Sequence, residues 1–239
     1  MILNRKNIRV LIVEPSNQHP RHEKARPNGS LGPAYLVGAL RKKGIEADYL
    51  DVTVGPIGSD LKKTFFQRTE MENGNIRFGM NSKELPEIFS HYDIIGTSSI
   101  FTVQTRMHFE IASIAKKVAK ENGKPTLIVS GGVNARSLRE HFLSNGFDIV
   151  ALADGEQTIV QIVDQLSSGK PDYSKVERIA FKKNDKTIIT PSYNNKMSKF
   201  IDNIPQPALD ALPLDSYQKL GIPHSGNPIP GTKFTAIQT

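Results

Sequence analysis

The 239-residue chain contains no cysteine and no tryptophan. Without cysteine it holds no disulfide, thiolate metal site, iron–sulfur ligand or cysteine nucleophile of its own. That absence fits a cytoplasmic chain. No apolar run approaches the ~20 residues that span a bilayer, so no membrane partner is expected. The N-terminus MILNRKNIRVLIVEPS has only a short apolar core before Glu14 and Pro15, and reads as a first strand, not a secretory signal. Lysine and arginine (31) exceed aspartate and glutamate (24), a net charge of +7. The basic residues are scattered, with no run of five or more, so no nucleic-acid partner is expected. At 38% hydrophobic and 23% charged residues the chain is neither disordered nor fibrous.

What is present is an alternation. IRVLIV (8–13) reads as a buried strand. A long polar segment (16–32) follows, then PAYLVGALRKKG, a helix with Pro33 in its first turn, Leu36, Val37 and Leu40 on one face and Gly44 as its stop. IEADYLDV (45–52) is a second strand. The stretch 53–90 is consistent with a helix over 59–69 or with an insertion, and ends in a short helix at 83–90. YDIIGTSS is a third strand. Met107, Ile111, Ile114, Ala115 and Val118 mark the core face of a helix over about 104–122. PTLIVSGG (125–132) is a fourth strand, followed by a helix with Asn134 as its expected N-cap. FDIVAL (147–152) is a fifth strand and EQTIVQIVDQLSSG a fifth helix. Five such alternations predict an α/β fold, a five-stranded parallel, doubly wound sheet of the flavodoxin-like or Rossmann-like kind, over residues 1–172. Residues 173–239 are expected to form a C-terminal β-hairpin turning at Asn184-Asp185 and an extended proline-rich linker with little regular structure.

Ligands of open α/β sheets bind beyond the carboxyl ends of the strands. Those ends read Glu14-Pro15, Thr97-Ser98-Ser99, Ser130-Gly131-Gly132 and Ala153-Asp154-Gly155-Glu156. Gly131 and Gly132 remove side chains where a large group must approach the backbone. Ser98, Ser99 and Thr102 offer hydroxyls beside a helix N-terminus. Glycine and serine also end strands for turn geometry alone. A phosphoacceptor aspartate at the end of the third strand, a Walker loop, a Gly-x-Gly-x-x-Gly turn and a Gly-x-Ser-x-Gly elbow are all missing.

Three stretches carry a family resemblance: LGPAYLVGALRKKGIEADYLDV (31–52); YDIIGTSSIFTVQTRMHFEIASIAKKV with PTLIVSGGVNARSLREHF; and FDIVALADGEQTIVQIVDQL. With the proline-rich IPQPALDALPLDSY, they resemble the N-terminal cobalamin-binding domain of cobalamin-dependent radical S-adenosylmethionine enzymes. The turn at 153–158 resembles that family's Gly-Glu-Gly-Glu-x-Thr, with Ala153 where the family prefers glycine. Cobalamin-binding domains of the methionine-synthase type carry Asp-x-His-x-x-Gly, Ser-x-Leu and Gly-Gly. Here Ser98-Ser99-Ile100 and Gly131-Gly132 occupy the latter two positions. Gly29 stands where the histidine would be, in Pro27-Asn28-Gly29-Ser30-Leu31-Gly32.

The resemblance implies cobalamin bound base-off, with no histidine ligand and its dimethylbenzimidazole tail extended into the sheet. It implies contacts from Glu14, Gly29, Ser30, Leu31, Gly32, Ser98, Ser99, Thr102, Gly131, Gly132, Asp154, Gly155 and Glu156, with no catalytic or metal-ligating residue in this chain. His19 and His22 are the rival lower ligands. His91, His108, His141 and His224 are expected at the surface and Phe101 in the core. The family's second domain opens on a strand leading into Cys-x3-Cys-x2-Cys, which holds a [4Fe–4S] cluster for S-adenosylmethionine cleavage. The segment Lys233–Thr239 resembles the approach to that loop, so the chain is expected to be a fragment whose parent, a methyltransferase, supplies the radical domain as its partner. The alternatives are an α/β docking domain that has lost cobalamin and a flavin- or nucleotide-binding α/β domain.

Overall fold

A computed structural model describes residues 7–192 and 205–220. Strand β1 (Arg9–Glu14) leads through the short β2 (Asn17–His19) to helix α1 (Leu31–Lys42) and then β3 (Glu46–Asp51). The 53–90 stretch carries β4 (Arg68–Glu70), β5 (Ile76–Phe78) and α2 (Leu85–Phe89). Next come β6 (Ile94–Ser98), α3 (Thr105–Glu121), β7 (Leu127–Gly131), the short helices α4 (Val133–Ser137) and α5 (Arg139–Ser144), and β8 (Ile149–Ala151). Helix α6 (Gly155–Ser167), the hairpin β9 (Ile179–Lys183) and β10 (Lys186–Ile189), and α7 (Leu214–Leu220) complete the order.

The main sheet has seven strands, ordered β10-β9-β8-β7-β6-β1-β3. The five strands read from the sequence are its parallel part. Their order, with the second strand outside the first and the third to fifth on the other side, is flavodoxin-like. The sheet is wider than expected because β9 pairs antiparallel with β8 and carries β10 with it. Asn184 and Asp185 both adopt positive φ (51° and 60°). This is the backbone that a two-residue hairpin with native strand twist requires.

Alternation along each parallel strand divides the core in two. Val10, Ile12, Ala47, Tyr49, Ile94, Val129 and Ile149 face α1 and α6. Leu11, Val13, Leu50, Ile95, Ile128 and Val150 face α2, α3 and α5. Burial on both faces explains why these strands read as continuous apolar runs, each large side chain contributing roughly 1.5–3 kcal/mol.

Four expectations change. Residues 59–67 form turns, not a helix, and the insertion instead makes a second sheet, β2-β5-β4. The helix expected from Asn134 is two, α4 and α5, joined at Leu138, and Gly132 holds the N-cap position. Phe101 is 59% exposed, whereas His108 is fully buried. The helical spacing 108, 111, 112, 115 already put His108 on the face of Ile111, Ala112 and Ala115. His91 and His141 are exposed, and His224 and residues 233–239 lie outside the described residues. Finally, the tail is not simply extended. Residues 209–211 form a helical turn, α7 follows, and Ala208, Ala211, Leu212 and Tyr217 join the α1/α6 core.

Candidate functional site

The two helices on one face of the sheet, α1 and α6, leave a cleft between them over the ends of β6, β7 and β8. It encloses about 320 Å³. Its floor is set by period-two geometry. Gly96 and Ser98 on β6, Val129 and Gly131 on β7, and Ala151 on β8 all point to this face. Leu36 of α1 and Thr158, Ile159 and Ile162 of α6 form the walls. The floor is therefore small-residue and the walls apolar, the form of a slot for a flat, apolar-faced group. A Cβ on Gly131 would stand 3.4 Å from the Ala151 Cβ and take up floor space. A Cβ on Gly155 would come within 2.7 Å of Leu36, so this glycine lets α6 close against α1.

Gly132 serves the backbone. Its φ of 89° and ψ of 165° lie in a region essentially restricted to glycine. A Cβ there would meet the Ser99 carbonyl oxygen at 2.4 Å. This close passage is fastened on both sides. Ser99 N–H donates to the Gly131 carbonyl (2.8 Å), and Asn134 N–H donates to the Ser99 carbonyl (3.1 Å). The buried Asn134 side chain donates to Ser99 Oγ and Thr105 Oγ1 (2.9 Å each) and accepts from Thr102 Oγ1 (3.1 Å). On the opposite face, Thr97 Oγ1 and Ser130 Oγ lie 3.0 Å apart, tying β6 to β7 under the slot. The loops after β6 and β7 are thus one hydrogen-bonded unit.

Of the residues expected at the site, Gly32, Ser98, Gly131, Gly132, Asp154, Gly155 and Glu156 line the cleft. Ser99 is buried in the Asn134 network beneath it. Thr102 is exposed and does not line the cleft, though its hydroxyl is tied to Asn134. Ser30 occupies the N-cap of α1 without a side-chain cap bond, and Leu31 packs on the α1/α6 core. Gly29 turns the approach to α1 at φ 53°. Sequence reasoning named Thr97 and Ser130 as strand ends but missed Gly96, Ala151, Arg136 and the walls. The signal for the floor was available in the alternating small residues of 96–98 and 129–131. The walls depend on how two helices distant in sequence sit together. Arg136, on α4, is the one basic residue among the described residues lining the cleft.

Glu14 lies elsewhere on the same face. It is in register with Asp51 on β3, and both are buried. Burial, and then the neighbouring Asp51 carboxylate, push the Glu14 carboxyl well above the ordinary range. Asp51 is also raised by burial, partly offset by hydrogen bonds from Thr53, Tyr217 and the Gly29 backbone. His19 contacts the Pro20 carbonyl through Nδ1 and packs on Phe78, while His22 is exposed. Neither lines the cleft. Among the described residues no group of three or more His, Asp or Glu could hold a metal ion. None of their helices is long and apolar enough to cross a membrane.

No protein-family model matches the chain. It is 25% identical over 182 residues to the cytidylyl-2-hydroxyethylphosphonate methyltransferase of Streptomyces wedmorensis, covering 74% of this chain and 32% of that protein. It is 29% identical over 133 residues to an uncharacterized methyltransferase of Pyrococcus horikoshii, covering 55% of this chain and 27% of that one. The chain thus spans a third or less of the length of these relatives. Among solved structures, it superimposes on the cobalamin-dependent S-adenosylmethionine radical enzyme OxsB, solved with aqua-cobalamin and S-adenosylmethionine bound. That match has a TM-score of 0.65 at 16% identity and covers 91% of this chain and 26% of OxsB. It also superimposes on the radical S-adenosylmethionine methyltransferase TsrM of Kitasatospora setae, solved with cobalamin and a [4Fe–4S] cluster. There the TM-score is 0.56 at 17% identity, covering 83% of this chain and 31% of TsrM. Its structural neighbours are radical S-adenosylmethionine enzymes that bind cobalamin. At these identities the likeness is one of fold.

Proposed function

We propose that this chain is the cobalamin-binding domain of a cobalamin-dependent radical S-adenosylmethionine methyltransferase. The observation that carries the reading is the slot between α1 and α6, floored by Gly96, Ser98, Gly131 and Ala151 and walled by Leu36, Ile159 and Ile162. A bicyclic aromatic base needs such a slot: small residues to admit it and apolar surfaces for its faces. At about 320 Å³ the cleft has room for the nucleotide tail and not for the corrin, which would lie outside it. Ser98 supplies a hydroxyl inside the slot, and Asp154 and Glu156 supply acceptors for the corrin's peripheral amides. Arg136 supplies positive charge for the tail's phosphodiester. Among the described residues no histidine lines the cleft, which supports a base-off cofactor with no histidine ligand.

Bound cobalamin supplies a cobalt centre that carries a methyl group. This chain's residues hold and orient the cofactor by its tail and shield that tail from water. The [4Fe–4S] cluster and S-adenosylmethionine require thiolates that a chain without cysteine lacks, and belong to the partner radical domain. The test is incubation with aquacobalamin, desalting and a visible spectrum. Retained corrin absorbance is expected. The cob(II)alamin form should show no nitrogen hyperfine splitting from an axial base. Complete loss of the corrin on desalting would refute the reading, and copurified flavin fluorescence would replace it.

A further inference from the structure

The tail segment 205–220 is seated on α1 at three points. Gly38, in the middle of α1, has no room for a side chain, because a Cβ there would lie 2.2 Å from the Gln206 carbonyl oxygen. Ala208 N–H donates to the Ala34 carbonyl (2.9 Å). Arg41 of α1 pairs with Asp210 at 2.7 Å. A fourth attachment is buried. Tyr217 Oη donates to Asp51 Oδ2 at 2.8 Å, across 166 residues of sequence.

Asp51 is more than an anchor for that helix. The same carboxylate accepts from Thr53 N–H (2.8 Å), Thr53 Oγ1 (2.6 Å) and Asn28 Nδ2 (3.4 Å). It also accepts from the backbone of Gly29. Asn28 is held again through Nδ2 to the Pro15 carbonyl (3.0 Å), and its Oδ1 accepts from Gln104 Nε2 (3.4 Å). Asn28 and Gly29 begin the short stretch that ends at Gly32, a lining residue of the cleft. One fully buried carboxylate therefore takes donors from the tail helix and from the loop that rims the cleft.

We infer that Asp51 is a positioning residue that couples the docked state of the tail helix α7 to the geometry of the cleft-rim loop 28–32. Removing the tail's donor leaves a buried acceptor short of a partner, and the loop shares that acceptor. Coupling of this kind is reciprocal: the factor by which an ordered loop favours the docked tail equals the factor by which the docked tail favours the ordered loop. A ligand in the cleft would therefore firm up the segment that leaves the domain. This last step rests on the cobalamin reading; the coupling itself does not.

The experiment is amide hydrogen exchange on the full chain and on two shape-conserving variants, Tyr217→Phe and Asp51→Asn. Without ligand, both are expected to speed exchange at least five-fold in 28–32 and in 214–220 together, with β6, β7 and β8 unchanged. Loosening of 214–220 alone would reduce Tyr217 to a tail anchor and overturn the inference. Global loosening in Asp51→Asn leaves the decision to Tyr217→Phe, which keeps the ring and loses one hydroxyl. In a second arm, aquacobalamin should protect 214–220 in the wild type, and this protection should be reduced in Tyr217→Phe. If the wild type takes up no aquacobalamin, the cofactor reading fails and the first arm still decides the coupling.

Discussion

Two buried titratable sites give the protein opposite responses to pH. His108 is fully buried with both ring nitrogens unpartnered, and burial lowers its pKa to about 4. Its folded value lies below the unfolded one of roughly 6.5. The His108 contribution to stability is therefore complete above pH 6.5 and falls as the pH drops toward 4, by up to about 1.4 kcal/mol per unit. Glu14 and Asp51 act in the other direction. Their folded values are raised, so the unfolded chain sheds these protons first and stability falls as the pH climbs above about 4.5. Between about pH 4.5 and 6.5 the two oppose each other, so urea titrations between pH 4 and 8 of the single variants separate them. His108→Leu should flatten the acid side, and Glu14→Gln should raise stability at neutral pH. In the slot, Ser98→Leu is expected to weaken aquacobalamin binding at least ten-fold in a visible titration, while the melting temperature moves by only a few degrees. Gly132 is the poorer site for that test, since any side chain there strains the backbone before it blocks a ligand. That Ser98 and Gly131 line the cleft was legible because both stand at the carboxyl ends of strands. His108 was misread because an ionisable side chain was weighed by type and not by its position on the helix.

Helix α1 shows where local preference and tertiary contact disagree. Replacing an interior helical glycine by alanine normally gains about 1 kcal/mol. At Gly38 the sign should reverse, because the new Cβ would strike the Gln206 carbonyl at 2.2 Å. Gly38→Ala is expected to lower the melting temperature and to expose residues 205–220 to limited proteolysis. The β9–β10 hairpin obeys its local code. Asp185 sits at φ 60°, so Asp185→Gly should be neutral or stabilising by up to about 1 kcal/mol in thermal unfolding. The strands and the long helices α1, α3 and α6 could be read because their periods are strong. The insertion could not. Its strands β4 and β5 are three residues each; β5 pairs with β4 on one side and on the other with β2, a segment about sixty residues earlier, and the Arg21–Glu70 and Arg77–Glu110 ion pairs add to the hold.

At the scale of the whole chain, a cofactor that binds only the folded domain should raise its stability by mass action, about 2.7 kcal/mol at a ligand concentration one hundred times Kd. Differential scanning with and without aquacobalamin should therefore show a concentration-dependent upward shift in melting temperature. Ser98→Leu should abolish the shift, and Tyr217→Phe should reduce it. The alternation of strands and helices, the parallel sheet and the absence of thiolate chemistry were determined by the sequence alone. Apolar periodicity and composition are local properties of a chain, and right-handed crossovers leave few ways to arrange five βα units. Three features were decided only in the folded molecule: the pairing of the hairpin onto β8, the walls of the slot, and the meeting of Tyr217 with Asp51. Each joins groups far apart in sequence, where the gain comes from burying polar partners and helix faces against one another, and no local pattern records which partner that will be.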